Sequence, residues 1–205
     1  MDIEYHELQC AASCSRDEVE ILAMNIEQTD LEGVVLITPR RFGDDRGWFS
    51  ESWNAAAHAD AGLDFGWVQD NHSFSAQKGT LRGLHYQTPP HAQDKLVRCT
   101  RGRIWDVAVD YRKGSPTYLH YVGVELTADN GHQLLVPAGF LHGFVTLEPD
   151  CEVQYKCSAP YAPDCDAGIR WDDPDVAIDW PISGTPHLSE KDAVAPLVAD
   201  SQSPF

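Results

Sequence analysis

KLVRCTRGRIWDVAVDY, residues 95–111, sets two β-rich runs, KLVRC and RIWDVAVDY, on either side of Gly102. Valine, isoleucine, tryptophan and tyrosine favour a pleated, half-buried chain, and a glycine between two such runs is a turn signal. The same punctuation continues in both directions. GVVLIT, FGWVQDNHSFS, YLHYVGVEL, HQLLVP, HGFVTL and CEVQYKC are separated by Gly79, KGSPT, DNG and PAG. Short strands at close spacing favour an all-β antiparallel sandwich or jelly-roll barrel over alternating βαβ units. One short helix is expected at NAAAHADAG, with Asn54 as its cap and Gly62 as its stop. Beyond Tyr155 the prolines and aspartates of APYAPDCDAGIRWDDPDVAIDWPISGTP predict loops with short strands or helical turns folded back on the barrel.

A chain of 205 residues is long enough for one well-buried domain. We assign that domain to residues 24–205. Residues 1–23 are turn-poor and unlike the strands that follow, and form an N-terminal extension to which no function is given. A formal net charge of -17 argues against a nucleic-acid partner, which needs a basic stripe. The apolar runs are too short to cross a bilayer, and the acidic N-terminus has no apolar signal region, so no membrane partner is expected. The six cysteines, at 10, 14, 99, 151, 157 and 165, form no CxxC pair and suggest reduced thiols of a cytoplasmic protein. Basic residues cluster locally: Lys78, Arg82, Lys95, Arg98, Arg101 and Arg103 share a stretch whose only acid is Asp94. That imbalance leaves room for a small-anion site in an otherwise acidic chain.

TLRGLHYQTPP, residues 80–90, places a histidine in a short strand that ends in a turn. A lone histidine in such a run is more often a satisfied core residue than a catalytic one. Strand parity puts His85 on one side with Gly83 and Gln87. A second histidine, His142, follows a tight turn in VPAGFLHGF, and the spacing P-x-G-x-x-H resembles the second motif of the cupin superfamily of small jelly-roll barrels. The matching first motif reads HYQ and offers one histidine. Two ligands fall short of the three or four that a transition metal needs, so no metal is expected. Without one, an interior histidine can act as a base if a cation stabilises the charge formed and an acid returns the proton. Lys95 shares a strand face with Val97 and Cys99, and Tyr155 shares one with Cys151, Val153 and Cys157; taken singly, each is an ordinary lysine or core tyrosine.

The order of motifs is more specific than any one of them. FGDDRGWFSE, VQDNHSFS, GTLRGLHYQ, DVAVDYRKGSPTY, VPAGFLHGF, VQYKCSAPYAP, IRWDDPDVAIDWP and LSEKD resemble, in sequence order over about residues 26–193, the blocks of the dTDP-4-dehydrorhamnose 3,5-epimerase family. The resemblance implies a cupin-like jelly roll working as a homodimer without cofactor. It would convert dTDP-4-dehydro-6-deoxy-D-glucose into dTDP-4-dehydro-L-rhamnose for dTDP-L-rhamnose biosynthesis. It implies His85 as base, Asp192 as its partner carboxylate, Lys95 as the cation for the enolate, and Tyr155 as acid. It further implies Arg46, Glu51, Gln69, Asp70, Asn71, Arg82, His142, Tyr161, Asp166 and Lys191 as substrate-binding residues, with Tyr161 stacked on thymine. One departure is Asp166, where family members often carry glutamate. Relatives that invert only C3 of a dTDP-4-keto-deoxysugar share the His, Asp, Lys and Tyr set, and a non-catalytic nucleotide-sugar-binding cupin is the alternative from another class.

Overall fold

A computed structural model describes residues 24–205; the extension assigned to residues 1–23 lies outside them. Two antiparallel sheets carry the architecture. The first comprises β1 (Met24–Gln28), β2 (Val35–Pro39), β10 (Gln133–Val136), β7 (Lys95–Arg101), β12 (Cys151–Cys157) and β5 (Gln69–Ser75), in that spatial order. The second runs β13 (Asp166–Gly168), β6 (Leu81–Gln87), β11 (Phe140–Thr146), β8 (Arg103–Asp110) and β9 (Tyr121–Thr127). A separate hairpin, β3 (Phe42–Asp44) with β4 (Gly47–Phe49), stands outside both sheets. The strand order makes this an all-β jelly roll, as the sequence rhythm predicts.

Alternation explains how the sheets close on each other. Val97 and Cys99 of β7, Leu134 and Val136 of β10, Cys151 and Val153 of β12, Ile104 and Ala108 of β8 and Phe144 of β11 join in the inner core. The opposite faces are covered as well. Trp53, Leu63, Phe65 and Trp67 pack with Leu96, Leu135 and Ile37 outside the first sheet, while Val176, Trp180 and Phe205 pack with Leu84, Tyr86 and Tyr111 outside the second. This double covering is why β10 and β11 are buried at every position.

The expected helix is α1 (Ala55–Asp60), with the Asn54 side chain accepting from Ala57 N at 3.1 Å and Gly62 at φ +78° just beyond its end. A second short helix, α2 (Glu190–Ala193), is capped by Ser189, which accepts from Asp192 N at 3.1 Å. Among the described residues, no helix is long and apolar enough to cross a membrane.

Parity fails at one place. β11 pairs His142 with His85 but Phe144 with Arg82, so β6 spends three residues where β11 spends two. This bulge turns Arg82 to the same side as His85, whereas Leu84 and Tyr86 face the outer core. The side His85 shares is therefore Arg82's as well. Gly83, at φ +141°, makes the bulge feasible: a Cβ there would stand 2.6 Å from Gly143 Cα.

Candidate active site

A cavity of about 390 Å³ opens at one end of the jelly roll, between the inner faces of the two sheets. β6 and β11 supply Arg82, His85 and His142; β7 and β12 supply Lys95 and Tyr155; and α2 supplies Lys191 and Asp192. Three basic side chains and one carboxylate thus line the cavity of a chain with net charge -17. The field in the mouth favours an anion despite the acidic whole. The basic cluster of the sequence is otherwise dispersed by strand parity. Arg98 turns to the opposite face and donates to Gln154 at 2.8 Å, while Arg101 and Arg103 pair with Glu152 and Glu125.

His85 and Asp192 meet at Nε2···Oδ1, 2.6 Å, with the histidine side chain 33% exposed and the aspartate 5%. The segment before α2 is what delivers the carboxylate. Leu81 N donates to His187 O at 3.0 Å and His187 N to Gly79 O at 2.8 Å, so residues 187–193 start alongside β6. Burial pushes the Asp192 carboxyl up, but the His85 contact, Ser189 and the Gly83 N–H outweigh it and hold it below the usual carboxylate range. The carboxylate stays ionised and the contact leaves Nδ1 as the free ring nitrogen of His85.

Lys95 and Tyr155 sit on the facing sheet. β12 pairs Cys157 with Lys95 and Tyr155 with Val97, making the lysine and tyrosine diagonal neighbours on one inner face. Burial lowers the Lys95 pKa, against the pull of Cys157, Asp106 and Asp166. Burial raises the Tyr155 phenol, keeping it protonated above the ordinary tyrosine range. Arg82 donates to Phe74 O at 3.0 Å and Ser75 Oγ at 3.3 Å.

A second opening joins this cavity past His85, Lys95, Tyr155 and Lys191 to Gln69, Asn71, Tyr161 and Asp166. Gln69 Nε2 donates to Asn71 Oδ1 at 3.0 Å and Gln69 Oε1 accepts from Tyr161 N at 2.9 Å. The shorter Asp166 carboxylate still accepts from Tyr161 OH at 3.1 Å and pairs with Lys191. The tyrosine ring itself is 57% exposed, free to receive a flat partner.

Three expected residues are not brought to the cavity. Asp70 lies between Gln69 and Asn71 on β5, and period-two alternation sends it to the other face, where it pairs with Lys156 at 3.0 Å. The run QDN is thus split, and Asp70 is corrected to the outside of the sheet. Arg46 is 89% exposed, pairs with Asp44 beside the free hairpin, and does not line the cavity; neither does Glu51, just beyond β4. Conversely, Asp106 and Ser73 belong to the inner surface and were missed. Asp106 is fully buried, with Oδ1 2.9 Å from His142 Nε2. An acid amid the apolar run of RIWDVAVDY was its signal. Among the described residues, no group of three or more His, Cys, Asp and Glu is placed to hold a metal.

The fold and the cavity define a cupin-like jelly-roll enzyme with an acid–base site in its mouth. A family model described as dTDP-4-dehydrorhamnose 3,5-epimerase matches residues 28–200. The dTDP-4-dehydrorhamnose 3,5-epimerase of Sinorhizobium fredii is 51% identical over 181 residues, covering 88% of this chain and 93% of its own. A crystal structure of the Bacillus anthracis enzyme of that name, with TDP and PPi bound, superposes with a TM-score of 0.84 at 48% identity, over 86% of this chain and all of the other. A Legionella pneumophila dTDP-6-deoxy-D-glucose-3,5-epimerase in complex with dTDP-4-keto-L-rhamnose gives 0.83 at 45% identity, over 86% and 93%. The chain belongs to the dTDP-4-dehydrorhamnose 3,5-epimerase family and is an isomerase.

Proposed function

We propose that this chain epimerises C3 and C5 of dTDP-4-dehydro-6-deoxy-D-glucose to give dTDP-4-dehydro-L-rhamnose, with His85 as base and Tyr155 as acid. The observation that carries this reading is the His85–Asp192 pair on one sheet facing Tyr155 and the buried Lys95 on the other. C3 and C5 both flank the C4 ketone, so removing either hydrogen leaves an enolate on O4. His85 takes the proton and Asp192 balances the imidazolium. The Lys95 ammonium lies in a low-dielectric wall and stabilises the O4 oxyanion. Tyr155 gives its proton to the opposite face of the carbon, inverting it, and the phenolate and imidazolium then reset by exchange with water. No cofactor enters this scheme.

Arg82 and Lys191 suit the diphosphate. Gln69, Asn71, Asp166 and the exposed ring of Tyr161 suit the nucleoside, and His142 lies beside the sugar. Arg46 and Glu51 reach substrate only if a second copy brings them, and the hairpin region that carries them also exposes Phe42, Trp48 and Phe49. This supports a homodimer in which the hairpin docks on a partner. The free thiols of Cys99, Cys151, Cys157 and Cys165 support a reducing, cytoplasmic setting.

The test is turnover of dTDP-4-dehydro-6-deoxy-D-glucose with the product trapped by an NADPH-dependent 4-ketoreductase. An L-rhamno product from the wild type, and none from His85→Asn or Tyr155→Phe at equal concentration, is expected. Full turnover by either variant would remove the assignment, and inversion at C3 alone would make the chain a 3-epimerase.

A further inference from the structure

Asp106 is a fully buried carboxylate to which the proposed chemistry assigns no role. Its position follows from register. β11 pairs His142 with Ala108 and Phe144 with Asp106, so Asp106 is the diagonal neighbour of His142 on the inner face. Oδ1 reaches His142 Nε2 at 2.9 Å, whereas Oδ2 is buried with no hydrogen-bond partner among the described residues. A carboxylate in that state is costly unless nearby positive charge compensates it. The facing wall supplies such a charge in Lys95, whose pKa Asp106 pulls upward against burial. His142 lines the cavity and Asp106 does not, so the carboxylate stands behind the histidine and beyond reach of substrate.

We infer that Asp106 is a positioning residue for the reaction: it fixes the proton of His142 on Nε2 and presents Nδ1 of that ring to the sugar. The inference rests on the epimerase reading above. It gives the cavity two carboxylate–histidine pairs with different duties. His85–Asp192 is partly exposed and exchanges protons, whereas His142–Asp106 is buried and holds one orientation.

Two measurements test this. Side-chain ¹⁵N correlation spectra of the substrate-free wild type, with His142 assigned by loss of its signals in His142→Asn, should show the proton on Nε2. A bare Nε2 would overturn the inference without any variant of Asp106. Asp106→Asn keeps the shape and should lower kcat about 10–100-fold with KM within about threefold, while the His142 tautomer moves away from Nε2–H. Unchanged kcat and an unchanged His142 signature in the folded variant would overturn it. A wild type that binds the nucleotide sugar without turning it over would instead refute the epimerase reading on which it rests.

Discussion

His85 and Asp192 lie 107 positions apart in the chain and 2.6 Å apart in space. The carboxylate orients the ring and pays for its charge, so Asp192→Asn should reduce kcat about 10²–10⁴-fold in steady-state assays with the protein still folded. A variant within threefold of wild type would deprive the pair of its role. Lys95 carries a different prediction, one with a sign in pH. It works as a cation and burial lowers its pKa, so its charge is lost on the alkaline side sooner than that of an exposed lysine. Tyr155 is shifted the other way and remains protonated there. The alkaline limb of the kcat profile should therefore follow Lys95 rather than Tyr155. Lys95→Met should cost about 10²–10³-fold in kcat. Lys95→Arg should retain part of the turnover with its alkaline limb moved to higher pH, since the guanidinium does not titrate in this range; an unmoved limb would assign it elsewhere. Of these residues, type and order in the chain were legible in the sequence, because His85, Tyr155 and Asp192 each fall in a family block and Lys95 lies in the strand-like run between two of them. Asp106 opens the family block DVAVDYRKGSPTY, yet nothing in it says that the acid lies one diagonal from a histidine 36 positions later.

β6 shows how an element can hide its own geometry. Its LRGLHYQ pattern reads as plain alternation, yet the bulge at Gly83 rotates Arg82 onto the same side as His85, joining a phosphate-binding candidate to the base. Period-two reasoning has no term for the extra residue, and only the approach of Gly83 to Gly143 across the strand pair shows where it must sit. The same reasoning, applied to β5, would have separated Asp70 from Gln69 and Asn71. Most strands and the cap at Asn54 were legible because their signals are local; β1, the β3–β4 hairpin and β13 were not, since pairing partners define them. Gly83→Ala should be destabilising by about 2–4 kcal/mol in urea melts, because the new Cβ meets backbone at a φ that L residues rarely adopt. A loss below about 0.5 kcal/mol would mean that the bulge does not require glycine.

At the scale of the whole molecule, two apolar coverings clamp the sandwich, and one polar anchor ties a connection to it. Asp110, at the end of β8, is fully buried and accepts from Arg112 Nε at 2.9 Å and Nη2 at 2.8 Å, and from Ser115 and Thr117. These bonds outweigh burial and hold its carboxyl well below the usual range. A depressed folded-state pKa contributes stability above the unfolded value, about 3.9, that is lost as pH falls below it toward the folded value. Asp110→Asn should therefore cost about 2–3 kcal/mol at pH 7, with the difference from wild type narrowing below about pH 4 in thermal melts. A pH-independent difference would mean that the charge is not what matters. Assembly belongs to this scale too: sedimentation should give a dimer, and Trp48→Glu with Phe49→Glu should weaken it. A wild-type monomer would leave Arg46 and Glu51 outside the site.

The most direct test is proton transfer itself: wild-type protein, dTDP-4-dehydro-6-deoxy-D-glucose and D2O, with C3 and C5 followed by NMR beside His85→Asn. Deuterium should enter both carbons in the wild type, with an L-rhamno configuration in the product, and neither carbon in the variant. Inversion without solvent label at C3 and C5, or equal labelling by the variant, would contradict a mechanism in which His85 removes those protons.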